Sequence, residues 1–237
     1  MLIDTSTRTD LPEIMDDWSM EGAELRDTLD QIASINKLLG GNSITLQGVQ
    51  KLLMRVPKTE EITIVDLGCG NGDMLRMLSD YAHKNGWDFK LIGVDANPDA
   101  ICYARELSAL YPNVTYLTAD IFSADFEKLE YDIALATLTL HHFKEDEVMR
   151  LMSTLKKNAN IGIVVNDLHR NALAYRLFQL VGFIFRLKKM AKNDGLVSIL
   201  RGFKRNELIA FSKKLNTSNY TINWKWAFRY QWIISKI

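Results

Sequence analysis

The sequence predicts an α/β fold with a mainly parallel sheet, and three observations carry the prediction. From residue 61 onward, short apolar runs of strand character alternate with segments whose apolar residues recur at helical spacing. A glycine-rich stretch, "VDLGCGNGDM" at 65–74, joins the first strand to the first helix of that alternation. The last segment, "YTINWKWAFRYQWIIS", alternates at period two instead, which is the pattern of strand. Strands separated by helices of this length need right-handed crossovers, so helices must cover both faces of the sheet.

Each element has its own signal. "MEGAELRDTLDQIASINKLLGG" reads as a helix, with Leu25, Leu29, Ile32 and Leu39 near the 3.6 period and Gly40-Gly41 stopping it. "NSITLQGVQKLLMRV" reads as a second helix, with Asn42 or Ser43 as N-cap and Pro57 beyond its end. These two precede the alternation and are expected to form an N-terminal helical cap over 1–57. Then come "EITIVDL" (strand), "DMLRMLSDYAHKNG" (helix), "DFKLIGVD" (strand) and "PDAICYARELSALY", a helix opened by Pro98. "NVTYLTAD" and "YDIALATLTL" read as strands, "KEDEVMRLMSTLKKN" as a helix and "IGIVVND" as the fifth strand. After residue 170 an apolar segment, 171–187, leads through "MAKNDGLVSILRGF" to a short helix, "KRNELIAFSKKL". The tail at 220–235 is expected to be two strands, although no Gly, Pro or Asn-Gly marks their turn.

Composition bounds the function. The chain has 237 residues, 47% hydrophobic and 24% charged, the values of an ordinary globular protein. Lys and Arg total 29 and so do Asp and Glu, so no global positive field draws nucleic acid, and no nucleic-acid partner is expected. Cys69 and Cys102 make no disulfide framework, and with no signal peptide the expected location is the cytoplasm. The uncharged run inside 171–187 is too short to span a membrane. Charge is uneven: residues 1–30 are acidic and 186–205 basic, which suggests two solvated faces that could meet.

Three glycines in five positions, Gly68, Gly70 and Gly72, imply a backbone that turns sharply or lets a ligand approach. A dinucleotide fingerprint would be G-x-G-x-x-G, and here the third glycine comes one residue early. Asp95 closes the second strand at about the offset of an acid that holds ribose hydroxyls. Asp66 ends the first strand, where it would repel a pyrophosphate and favour a sulfonium or an ammonium. An NAD-dependent oxidoreductase is therefore the third-ranked reading.

"VDLGCGNGDM", "IGVDANP", "TADIF" and "ATLTLHHF", in that order and spacing, resemble the successive motifs of class I S-adenosylmethionine-dependent methyltransferases. The resemblance covers about 61–168. The flanking "INKLLGG", "VVNDLHRNALAY" and "DGLVSILRGF" are similar to small-molecule methyltransferases found beside type III polyketide synthases. It implies a Rossmann-like seven-stranded sheet with an antiparallel C-terminal hairpin, as one catalytic domain over 58–237 with a lid-like insertion at about 171–200. It implies S-adenosyl-L-methionine as cofactor. Gly68, Gly70 and Gly72 would pass under its methionyl part and Asp66 would lie near its amino and sulfonium end. Asp95 would accept the ribose hydroxyls, Ala96 and Asn97 would line the ribose-adenine side, and Asp120 with Ile121 would bracket adenine.

Methyl transfer is an in-line displacement, so positioning supplies most of the rate, and a base is needed only for an acceptor that must lose a proton. His141, His142 and His169 follow strand ends at the expected ligand-binding edge, and His169 ranks first as base because it precedes the apolar segment. Asn166 and Asp167 are half of a metal-binding set without a partner, so no metal is expected. Leu177, Leu180, Phe183 and Phe185 would line an apolar acceptor pocket if 171–187 is a lid. The sequence thus points to O-methylation of a small apolar metabolite, aromatic or alkyl-phenolic. The alternative is a non-catalytic cofactor-binding regulatory or scaffold protein. A homodimer is left open.

Overall fold

The computed structural model describes residues 3–237. Its strands are β1 (Glu61–Leu67), β2 (Asp88–Asp95), β3 (Val114–Thr118), β4 (Tyr131–Thr137), β5 (Ala159–Leu168), β6 (Tyr220–Lys225) and β7 (Arg229–Ser235). They form one sheet in the order β3-β2-β1-β4-β5-β7-β6. The first five are parallel, while β7 runs antiparallel to both β5 and β6. The strand order reverses between β1 and β4, and ligands bind beyond the carboxyl ends of strands at such a switch. This is the α/β architecture that the alternating pattern predicts.

The helices are α1 (Gly22–Leu38), α2 (Gly41–Leu53), α3 (Asp73–Asn85), α4 (Pro98–Leu107), α5 (Glu145–Asn158), α6 (Ala172–Ile184), α7 (Lys189–Arg201) and α8 (Arg205–Lys214). Side chains alternate across each strand, so β1 feeds two cores. Ile62 and Ile64 join α2, α3 and α4 on one face, while Val65 and Leu67 join α5 and α8 on the other. No helix among the described residues is long and apolar enough to cross a membrane.

Three local expectations are corrected. Asn42 and Ser43 do not cap α2; Gly40, in the left-handed region at φ 72°, is its N-cap. Asn42 instead sits buried in the first turn, where it donates to Asp73 Oδ2 at 2.6 Å and accepts from Asn36. The second helix also packs on the sheet itself, with Val49, Leu52 and Leu53 in the core beneath it. The helix from Pro98 stops at Leu107 rather than Tyr111, where Ser108 closes it.

Helix α2 approaches β5 so closely that a Cβ on Gly48 would lie 2.4 Å from Val164 Cγ1. A side chain there overpacks a filled core, at a cost of about 1–3 kcal/mol. Gly48→Val should therefore lower the melting temperature by several degrees, and an unchanged melt would show that α2 is not anchored here.

The C-terminal hairpin explains its own period. Lys225 pairs with Arg229 and Ile222 with Trp232, across a turn at 226–228. The three-residue turn keeps even-numbered residues of both strands on one face. Ile222, Tyr230, Trp232 and Ile234 are accordingly all buried in one core. Phe228 closes the turn at φ 53°, which is why no Gly or Asn-Gly signals it.

The acidic and basic segments do face each other. Asp194 of α7 accepts from the backbone N–H groups of Ile14 and Met15 at 2.9 and 3.0 Å. Arg201 donates to Asp16 at 2.7 Å, and Lys188 pairs with Asp27. These contacts fold the N-terminal segment over the ends of the strands.

Candidate functional site

The glycine turn follows β1 directly and delivers the chain to α3. Gly68, Gly70 and Gly72 all adopt positive φ, 62°, 51° and 76°, where other residues are strained. A Cβ at Gly68 would also sit 2.9 Å from Thr139, and one at Gly72 2.0 Å from the Tyr116 hydroxyl. Gly70 N–H donates to Asp95 Oδ2 at 3.0 Å, and Asp95 Oδ1 accepts from Asn97 N–H at the same distance. Asp95 thus ties the loop after β1 to the end of β2. Helix α1 lies over this loop: Asp30 accepts from Asn71 at 3.0 Å and from the Tyr103 hydroxyl at 2.6 Å.

Beyond these strand ends lies a cavity of about 730 Å³. The glycine loop, Asp95–Asn97, 119–121, 137–139 and 141–143 form its floor, and α1, α6, α7 and the hairpin turn form its walls. Ten expected site residues meet there: Asp66, Gly68, Gly70, Asp95, Ala96, Asn97, Asp120, Ile121, His141 and His142. Asn97 lines it with a side chain already in use, accepting from Asp99 and Ala100 N–H as the α4 cap and donating to Met20. Gly72 is not on the wall; its missing side chain makes room for Tyr116.

Asp66 is 2% exposed, and its Oδ1 has no partner among the described residues. Burial, then the charges of Asp73 and Asp95, push its carboxyl well above the ordinary range. The folded state therefore holds this proton more tightly than the unfolded chain does. Stability should fall as pH rises from the ordinary carboxylate range through the raised value. Asp66→Asn removes that penalty, so the ligand-free variant should melt about 2–4 °C higher near neutral pH for each kcal/mol relieved. Its affinity for a cationic ligand should fall at the same time. Melting curves across pH check the first half and calorimetry the second.

The structure separates the three histidines. His169 is not on the cavity wall. Strand β5 ends at Leu168, and His169 donates its backbone N–H to Phe228 at 2.8 Å. Its ring packs 4.9 Å from that of Tyr230 and 6.4 Å from that of Phe228. Burial, with Lys204 and Arg170 nearby, lowers its pKa. It seals the base of the hairpin.

His141 does line the cavity. Its Nδ1 donates to Asp167 Oδ1 at 2.7 Å, since a carboxylate can only accept, and its backbone N–H reaches Asp167 Oδ2 at 3.2 Å. That leaves Nε2 as the free acceptor. Burial works to raise the Asp167 carboxyl, but the neighbouring His141 and the Leu168 N–H outweigh it and hold the pKa low. His142 makes the parallel contact to Asp16 at 2.7 Å. Glu13, from a segment with no motif, lies 3.7 Å from His141 Nε2 and was missed by sequence reading. Burial raises its carboxyl, against His142, Ser198 and Arg201, which lower it.

Glu13, His141 and His142 each bring one donor atom within 4.8 Å of the others, the only metal-compatible cluster among the described residues. Arg201 already places its positive charge beside Glu13 at 3.4 Å and Asp16 at 2.7 Å, so a divalent cation would have to displace it. The apolar wall is also revised. Leu177, Phe178, Leu180, Val181 and Ile184 of α6 line the cavity, whereas Phe183, 78% exposed, and Phe185 do not.

Residues 64–162, the region from β1 to β5, match the Methyltransferase domain family. Over these residues the chain is similar to a methyltransferase domain. Protein-lysine N-methyltransferase EFM4 of Saccharomyces cerevisiae is 28% identical over 171 residues, 70% of this chain and 61% of its own length. Putative methyltransferase 235L of Invertebrate iridescent virus 6 is 36% identical over 78 residues, 33% of this chain and 26% of its own. The chain therefore spans less than two thirds of the curated relatives it matches. The plantazolicin methyltransferase BamL, solved with SAH and a triazolic analogue, superposes with a TM-score of 0.66 at 14% identity, covering 88% of this chain and 90% of that one. The CurJ carbon methyltransferase gives 0.60 at 16%, covering 81% and 53%. The fold is thus shared with methyltransferases whose names give different acceptors, and it does not by itself select one.

Proposed function

We propose that the chain transfers a methyl group from S-adenosylmethionine to a small apolar acceptor, with His141 as the base. The residues fit the cofactor on three counts. Glycines replace side chains where the loop must pass close, Asp66 offers a buried carboxylate oxygen with no partner, and Asp95 and Asp120 stand at successive strand ends. S-adenosylmethionine, when bound, supplies an electrophilic methyl group.

In this reading the protein's own residues do the rest. Asp66 favours the cationic end, Asp95 the ribose and Asp120 with Ile121 the adenine, while Ala96 and Asn97 close that side. Leu177, Val181 and Ile184 of α6 exclude water from the acceptor and act as the lid that 171–200 is expected to form. His141 Nε2 takes the acceptor's proton, and Asp167 holds the ring in the tautomer that allows it. The single observation that carries the reading is the Asp167–His141 pair, buried at the wall of an apolar cavity. An aromatic or alkyl-phenolic acceptor and O-methylation suit this pair, and they agree with the sequence resemblance to enzymes beside type III polyketide synthases.

The test is release of S-adenosylhomocysteine from S-adenosylmethionine in the presence of a panel of alkylphenols. Turnover with alkylphenols supports the proposal. Cofactor binding without turnover on any acceptor would favour the regulatory alternative. Turnover only on lysine-bearing protein would move the acceptor to the class named for the yeast relative.

A further inference from the structure

One feature of the cavity wall is not used by the transfer itself. Arg229 opens β7 just after the hairpin turn and pairs in register with Leu168 at the end of β5. It is 4% exposed, and its Nε and Nη1 have no hydrogen-bond partner among the described residues. Burial lowers the guanidinium to about 10, although the charge of Asp167 works the other way.

Its surroundings on the cavity wall are one-sided in charge. Among the described lining residues Arg229 is the only Lys or Arg, against seven Asp and Glu. None of those carboxylates reaches it. Gly41 and the neutral amide of Asn36 stand beside it: a Cβ on Gly41 would lie 3.0 Å from Arg229 Cζ and would strike Asn36. A buried cation without an anion costs stability that a fold repays only when something pairs with it. The planar fork of a guanidinium matches a carboxylate with two parallel bonds.

We propose that Arg229 anchors the carboxylate of a ligand held in this cavity, either the methionyl end of the cofactor or an acid group on the acceptor. The inference rests on the cavity being the cofactor and acceptor site. It predicts that the acceptor pocket is not uniformly apolar, and that one end of its contents is anionic.

Calorimetry on the full chain separates the two sources. S-adenosylhomocysteine carries the carboxylate and 5′-methylthioadenosine lacks it; 4-heptylbenzoate and 4-heptylphenol form the matching acceptor-like pair. In Arg229→Met one carboxylate-bearing member should weaken at least tenfold, while its carboxylate-free partner stays within twofold. Loss confined to S-adenosylhomocysteine assigns the cofactor end, and loss confined to the benzoate assigns the acceptor. Arg229→Lys, which keeps the charge but not the fork, should fall between. The ligand-free Met variant should melt no lower than the wild type, because it relieves a buried unpaired charge. Equal changes within each pair, or none, would overturn the assignment. If the wild type binds neither nucleoside ligand, the cavity reading fails first and this inference falls with it.

Discussion

Replacing His141 with alanine is expected to lower kcat by about 10²–10⁴-fold, the contribution of a positioned general base. The acceptor explains the size. A phenol with a pKa near 10 is about three units above neutral, and ionising it there costs about 4 kcal/mol at 1.36 kcal/mol per unit. Asp167→Asn should cost nearly as much without removing the imidazole. An amide facing Nδ1 no longer fixes the proton there, so Nε2 loses its standing as acceptor. Cofactor affinity should stay within about twofold in both variants, as befits a residue used in the transfer step. His169→Ala serves as the comparison and should leave kcat near normal, because that ring packs against Tyr230 and Phe228. Near-normal turnover in His141→Ala on the true acceptor would show that positioning alone carries the reaction.

Asp95→Ala should have the next largest effect, on binding rather than on rate. The carboxylate accepts from Gly70 and Asn97 N–H at 3.0 Å each, and on the proposed function it also accepts the ribose hydroxyls. Removing the acceptor for such groups costs about 2–4 kcal/mol, which is about thirty- to a thousandfold in affinity. Calorimetric titration with S-adenosylhomocysteine reads this directly. An affinity unchanged from the wild type would remove Asp95 from the cofactor site and leave it as a tie between two loops.

Much of the cofactor side was legible because its determinants are local. A strand, a glycine turn and a helix N-terminus are contiguous in the chain. Ordered strand ends then place Asp95, Asp120 and the His141-His142 pair at one edge by topology alone. The acceptor side was not legible in the same way. Glu13 and Asp16 come from a segment without a motif, and nothing in their neighbours announces that they will meet His141 and His142 across more than a hundred residues. Arg229 falls between the alternating aromatics Phe228 and Tyr230 and carries no signal of its own.

By itself, then, the sequence determined the alternation of strands and helices, the parallel sheet, the period-two hairpin and the conformation demanded of Gly68 and Gly70, since period and backbone sterics act over a few residues. Only the tertiary structure decided which histidine faces the cavity. His141 and His169 both follow strand ends, but the hairpin covers His169 while Asp167 turns His141 inward. It also decided that α2 packs on the sheet while α1 lies over the glycine loop, and that Arg229 is enclosed without a salt bridge among the described residues. Those outcomes depend on which surfaces close over one another, and burial of that kind is set by the whole chain at once.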